Sequence, residues 1–165
     1  MAIREGVKWL FHHQEQDGSW YGRWGICYIY GTWAAITGLK AVATSVSNQS
    51  IVNGVKWLQQ IQHEDGGWGE SCKSDWNKKY VPLHESTLTH TAWAVDALIA
   101  VNDQPIKPIK RGIQYLIEHL DKNDWTTDYP KGQGMASAFY IHYHSYRYIF
   151  PLLALSHYRD KYLEQ

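Results

Sequence analysis

Apolar positions along this chain fall at helical spacing, and the same spacing returns in the same phase further on. Val7, Leu10 and Phe11 stand at i, i+3 and i+4; Val55, Leu58 and Gln59 repeat those places, with Ile61 continuing the apolar side. That interval builds one apolar stripe on a helix. It predicts helices over 3–13, 51–62 and 109–120. Two further segments, 32–42 and 87–101, carry small and apolar residues together and echo one another at Thr32/Thr91, Leu39/Leu98, Ala41/Ala100 and Val42/Val101. Small residues permit close helix packing, so these read as the partners of the amphipathic helices. A sixth helix ends near Tyr158. Phe139, Tyr143, Tyr146 and Phe150 share one helical face by their spacing, and Pro151 predicts a kink or a new helix start there. Ser50 is expected to cap the third helix, and Ser86 or Thr87 the fourth. Residues 69–85 read as a long polar loop.

The amphipathic segments belong to a repeat. Gly6-Val7-Lys8-Trp9-Leu10 returns as Gly54-Val55-Lys56-Trp57-Leu58, and Gln14, Asp17, Gly18 and Trp20 return as Gln62, Asp65, Gly66 and Trp68 at the same offset. A frayed third copy holds Gly112, Ile113, Tyr115, Leu116, Asp124 and Trp125. The copies lie near 3–20, 51–68 and 109–125, and self-similarity of this kind marks stacked supersecondary units. Each glycine after the aspartate supplies a left-handed backbone and lets an indole lie against the turn. Each glutamine amide offers donors and an acceptor to helix-end groups without intrahelical partners. The eight repeated residues therefore read as staples between helical hairpins. The chain is expected to be all-α, a single domain over 1–165 made of three helical hairpins. Three hairpins do not close a ring, and an open concave side lined by Trp24, Tyr28, Trp33 and the 139–150 aromatics asks for a partner or a large apolar ligand.

Composition narrows the function. Formal net charge is 0, which offers no electrostatic footprint for nucleic acid. No apolar run reaches membrane-spanning length, and the N-terminus has no signal-peptide core. Nine Trp and twelve Tyr are far above ordinary usage and demand a purpose. Cys27 and Cys72 lack metal-ligand spacing, and neither His142/His144 nor His12/His13 has the i, i+4 arrangement of a zinc site. No metal or cofactor is expected. Asp17, Asp65, Glu64 and Glu70 raise a glycosidase, which needs two carboxylates flanking a sugar. Most of them recur with the repeat at turns, which favours a structural role.

The repeated Gly-x-x-Trp-Leu…Gln…Asp-Gly-x-Trp resembles the QW repeat of the triterpene cyclases. The string from Gln16 through Tyr21-Gly-Arg23-Trp24-Gly25 to Thr32, and the ending Gly134…Phe139-Tyr140-Ile141…Tyr143…Tyr146-Arg147…Phe150-Pro151, resemble the C-terminal part of bacterial squalene–hopene cyclases and their relatives acting on tetraprenyl-β-curcumene. The resemblance covers nearly the whole chain. It implies an α/α toroid of helical hairpins and a proton-initiated cyclisation of a C30–C35 polyprene. It carries Trp24, Met135, Phe139, Tyr143 and Tyr146 over as cavity-lining candidates; core packing is the competing account of each aromatic. Aromatic faces stabilise a migrating carbocation through their quadrupoles without trapping it. Met135 and Ala136 stand where the family commonly places an aromatic and a proline. The family's Asp-x-Asp-Asp-Thr-Ala general-acid motif has no counterpart at Thr89-His90-Thr91-Ala92, so no catalytic residue is assigned. The expectation is an incomplete barrel of a longer cyclase, inactive alone and given to self-association. The remainder of the barrel or a second chain would be its partner, and attachment to the cytoplasmic side of a membrane is implied by the resemblance alone. The other reading is a non-catalytic helical-repeat module that binds a partner subunit.

Overall fold

A computed structural model describes residues 2–135 and 137–164. The chain runs α1 (Ala2–His12), α2 (Cys27–Ala41), α3 (Gln49–Gln60), α4 (Lys73–Asn77), α5 (Leu88–Val101), α6 (Lys107–His119), α7 (Trp125–Asp128), β1 (Gly132–Met135), β2 (Phe139–Ile141) and α8 (Tyr146–Tyr162). Helices α2, α5 and α8 pack side by side, α3 lies against α2 and α5, and α6 against α5. The apolar segments thus form an inner layer and the amphipathic ones an outer layer. Helix α5 is the centre of the molecule: all but one of its residues are buried, from Leu88 to Val101. Its Trp93 stands in a cage of Tyr30, Trp33, His90, Tyr146 and Phe150.

Local chemistry sets the helix ends. The Thr87 hydroxyl accepts from the His90 amide and caps α5, as expected. Asn48, rather than Ser50, caps α3; its side chain accepts from the Ser50 amide. Helix α2 begins at Cys27, earlier than its small-residue run suggests, because its first amides are satisfied from elsewhere in the chain. The segment 69–85 is more ordered than a polar loop. It holds α4 and a bridge between Glu70 and Pro82.

The largest correction lies near the end. Phe139, Tyr143, Tyr146 and Phe150 do not share a helical face. Phe139 belongs to β2, which pairs antiparallel with β1, and only from Tyr146 onward is the chain helical. Aromatics suit a pleated strand as well as a helix, and the Gly132-Gln133-Gly134 sequence admits rings that a side chain would exclude. An added Cβ on Gly132 would meet the Tyr143 ring at 2.3 Å, and one on Gly134 the Phe139 ring at 2.0 Å. Pro151 starts no new helix; it lies inside α8, which runs through it. The fold remains all-α in class, with this one short hairpin added.

Candidate functional site

The repeat turns hold the hairpins in register. Gln14 Nε2 donates to Gly18 O and to Ser50 O in α3, both at 2.8 Å. Gln62 Nε2 donates likewise to Gly66 O at 2.8 Å and Pro108 O in α6 at 3.0 Å. Trp20 and Trp68 each donate their backbone amide to a threonine hydroxyl of the inner helix, Thr32 or Thr91, at 3.0 Å. Their indole Nε1 atoms donate to Leu10 O and Leu58 O at 2.8 Å. Gly18 and Gly66 have φ of 98° and 90°, and a Cβ there would run into Asn53 O and Arg111 O at 2.7 and 2.8 Å. The indoles lie on the next repeat's helix rather than on their own turn. A Cβ on Gly54 would meet Trp20 at 2.8 Å, and one on Gly112 would meet Trp68 at 2.9 Å.

The third copy keeps only part of this. Asp124 Oδ1 accepts from the Thr126 amide and hydroxyl, as Asp17 Oδ1 does from Ser19. Trp125, however, directly follows that aspartate, in the place of Gly18, and is 54 % exposed. It makes an edge contact with Tyr129 instead of stapling a helix.

This frame presents an aromatic surface. Trp24, in the segment before α2, is 66 % exposed. Its carbonyl accepts from the Gln133 amide at 3.1 Å, and Gly25 bridges to Gly132, so that segment extends the hairpin as a third edge. Arg23, Trp24, Gln133, Gly134 and Met135 line a cleft of about 320 Å³. Met135 is exposed, and Phe139 lies with its ring over Gly134. Tyr143 covers Gly132 and stacks on Tyr146 at 4.6 Å between ring centres. The structure therefore brings Trp24, Met135, Phe139 and Tyr143 to one face. Tyr146 stands apart from them in role: half-buried, it meets Trp93 and Phe150 edge-on and joins the face to the core. Ala136 falls outside the described residues.

Sequence reading missed the polar network behind this face. Asp75, a fully buried side chain on α4, accepts from Tyr21 Oη at 2.6 Å, Lys78 Nζ at 2.9 Å, Tyr140 Oη at 3.4 Å and the Ser137 amide. Burial pushes its carboxyl pKa up, but the Tyr21 hydroxyl, the Lys78 ammonium and the Ser137 amide overcome that and hold it below the usual range. Glu70, also buried, accepts from the Tyr28 and Ile29 amides at 2.9 and 2.8 Å and so caps α2 from outside. Burial raises its pKa to about 7, against the pull of those amides. His90 is buried behind it, with Nε2 3.2 Å from Ile26 O, and burial lowers its pKa to about 3. Neither carboxyl group is exposed, and Asp17 and Asp65 are tied into turns.

A second, larger groove of about 580 Å³ opens among α2, α5 and α8, with Trp33, Asp96, Leu153 and His157 among its walls. Asp96 is held there by Trp33 Nε1 at 2.7 Å and His157 Nδ1 at 2.6 Å. Among the described residues no group of three His, Cys, Asp or Glu side chains could hold a metal ion. His142 and His144 instead face each other at 3.1 Å.

The sequence profile of the squalene-hopene cyclase C-terminal domain matches residues 1–160. The chain belongs to this family. It is 55 % identical over 158 residues to the sporulenol synthase of Bacillus subtilis, covering 96 % of this chain and 25 % of that protein. It is 46 % identical over 160 residues to the squalene–hopene cyclase of Alicyclobacillus acidocaldarius, again covering 96 % of this chain and 25 % of the relative. The chain thus spans about a quarter of the length of these curated relatives. An ent-copalyl diphosphate synthase from Streptomyces platensis shares the fold, with a TM-score of 0.70 at 19 % identity over 94 % of this chain and 28 % of its own. The toroid of helical hairpins is accordingly the architecture to which this terpene-cyclase domain belongs. Among the described residues, no helix is long and apolar enough to cross a membrane.

Proposed function

We propose that this chain supplies an aromatic wall of the cavity in which a polycyclase folds and cyclises a C30–C35 polyprene, squalene or tetraprenyl-β-curcumene. One observation carries the reading. Trp24 lies far along the chain from Met135, Phe139 and Tyr143, yet its segment bridges to the hairpin and joins them on one exposed face. Large apolar side chains assembled in the open are a binding surface before they are a core. Ring faces and a polarizable thioether stabilise positive charge and offer it no nucleophile.

The general acid comes from elsewhere in this reading. Protonating an alkene takes a positioned, strongly acidic carboxylic acid. Asp75 is held ionised by its donors, and both Glu70 oxygens are engaged by helix amides. The chain alone is therefore inactive, and its partner is the rest of a cyclase barrel. Helix α1 supports this. It has no buried residue, and a Cβ on Gly6 would meet nothing within 4 Å, whereas Gly54 and Gly112 each carry an indole. The notch at Gly6 fits one more Asp-Gly-x-Trp turn. Contact with a membrane surface follows from the hydrocarbon nature of the substrate.

The test is a transplant. This chain replaces the matching quarter of the Bacillus subtilis sporulenol synthase, and the chimera is incubated with squalene and with tetraprenyl-β-curcumene in detergent. Polycyclic products support the reading. A folded chimera, cooperative in thermal melting, that returns both polyprenes unchanged overturns it.

A further inference from the structure

We propose that Asp75 is a positioning residue whose carboxylate ties the segment bearing Trp24 to the tip of the hairpin bearing Met135 and Phe139, and so sets the shape of the face on which the polyprene folds. The four donors that converge on it come from separate pieces of the wall. Tyr21 precedes Trp24 by three residues. Ser137 lies in the turn between β1 and β2, and Tyr140 in β2. Lys78 comes from the end of α4, where it has φ of 49° and reaches both Asp75 and the face of the Tyr21 ring at 5.2 Å. Ser137 is itself left-handed, with φ of 59°. A non-glycine residue in that region costs free energy and persists where its surroundings fix it. Its amide points at Asp75 Oδ2, which is what fixes it.

The base of the hairpin is held independently. The Cys72 amide donates to Tyr129 Oη at 2.9 Å, and the Gln133 amide donates to Trp24 O at 3.1 Å. Removing the Asp75 charge therefore frees the tip and leaves the base in place. An aspartate suits the position because an ionised carboxylate is acceptor-only and can take four donors. An asparagine offers one acceptor oxygen, and its NH2 would face a donor.

Two measurements decide it. In the 165-residue chain, hydrogen exchange read by NMR should show the Ser137 amide of Asp75→Asn exchanging roughly ten- to a hundredfold faster, with the Gln133 and Cys72 amides unchanged. Tyr21→Phe removes a single donor and should give a smaller acceleration in the same place. Unchanged Ser137 exchange in both variants, or equal loss of protection at all three amides, overturns the tie. The catalytic consequence rests on the polycyclase reading and is read in the sporulenol synthase chimera. There Asp75→Asn should change the ratio of fully to partly cyclised products about tenfold while total conversion falls less. A uniform drop in all products overturns the positioning role. If the unaltered chimera cyclises nothing, the polycyclase reading and this consequence both fail, while the exchange experiment still reports on the tie.

Discussion

The first and second repeat turns share their glutamine, indole and threonine contacts and diverge beyond the tryptophan. Up to Trp20 and Trp68 those contacts match within a few tenths of an ångström. Two residues beyond, the first turn has Gly22 facing Gly31 of α2, with room for no side chain between them: a Cβ on Gly31 would meet Gly22 N at 2.6 Å. The second turn has Glu70 facing His90 of α5, the Glu70 amide lying 3.4 Å from His90 Nδ1. One junction closes backbone on backbone. The other opens enough to place a carboxyl at the start of α2, where it satisfies two orphan amides and complements the helix dipole. The same staple thus serves two ends: one turn only stacks its hairpin, and the other also reaches back to fasten its predecessor beneath the Trp24 segment.

Four variants probe that contrast. The largest effect belongs to Trp68→Ala, which removes a fully buried indole and its hydrogen bond to Leu58 O; it should cost about 3–5 kcal/mol in urea unfolding. Trp20→Ala should cost about as much, since Trp20 is equally enclosed, and a cost under half of the Trp68 value would break the equivalence of the two staples. Gln62→Ala leaves Gly66 O and Pro108 O without their donor and should cost about 1–2 kcal/mol. Gln14→Ala should agree with it within about 0.5 kcal/mol.

The Glu70–His90 pair should appear in the pH dependence. A carboxyl with its pKa raised by burial to about 7 in the fold favours the folded state at low pH, and that contribution is lost as pH rises from the usual carboxyl range through 7. A histidine lowered to about 3 does the reverse: its contribution is present above the ordinary imidazole range and lost as pH falls toward 3. Between about pH 4.5 and 6.5 the two oppose one another. Glu70→Gln should remove the compensation, so that stability drops by about 1 kcal/mol or more on going from pH 6.5 to 5. Thermal melts across that range check it, and a variant whose pH profile matches the parent's would detach Glu70 from the junction. The smallest effect is expected at Trp125→Ala, within about 0.5 kcal/mol, because that indole staples nothing.

Much of this was legible in the sequence. The outer helices followed from the 3.6-residue interval, the turns from Asp-Gly, and the staples from their recurrence, because a periodic signal repeats the same physics and so reinforces itself. The β1–β2 hairpin was not legible. Its aromatics fall at helical intervals by coincidence, and what makes the strand is the fit of rings onto Gly132 and Gly134, which only the third dimension displays. Trp125 matched the repeat by residue type but stands two residues early, in the place of Gly18. The Asp75 and Glu70 networks joined segments far apart in the chain, and nothing local in the sequence marks a carboxylate whose donors arrive from three other elements.

One feature of the staples reaches beyond stability. Gln14 and Gln62 bind main-chain carbonyls of the following helix, and the two indoles rest where that helix has a glycine. The receiving helix is asked for a shape and hardly for a sequence. A hairpin duplicated within a gene would therefore meet its own copy already compatible, and both could drift apart in composition while keeping register. A ring assembled from such units can lengthen, or exchange a unit with a related gene, without re-evolving the joints. Chemistry can then diversify at the loops while the joinery stays the same.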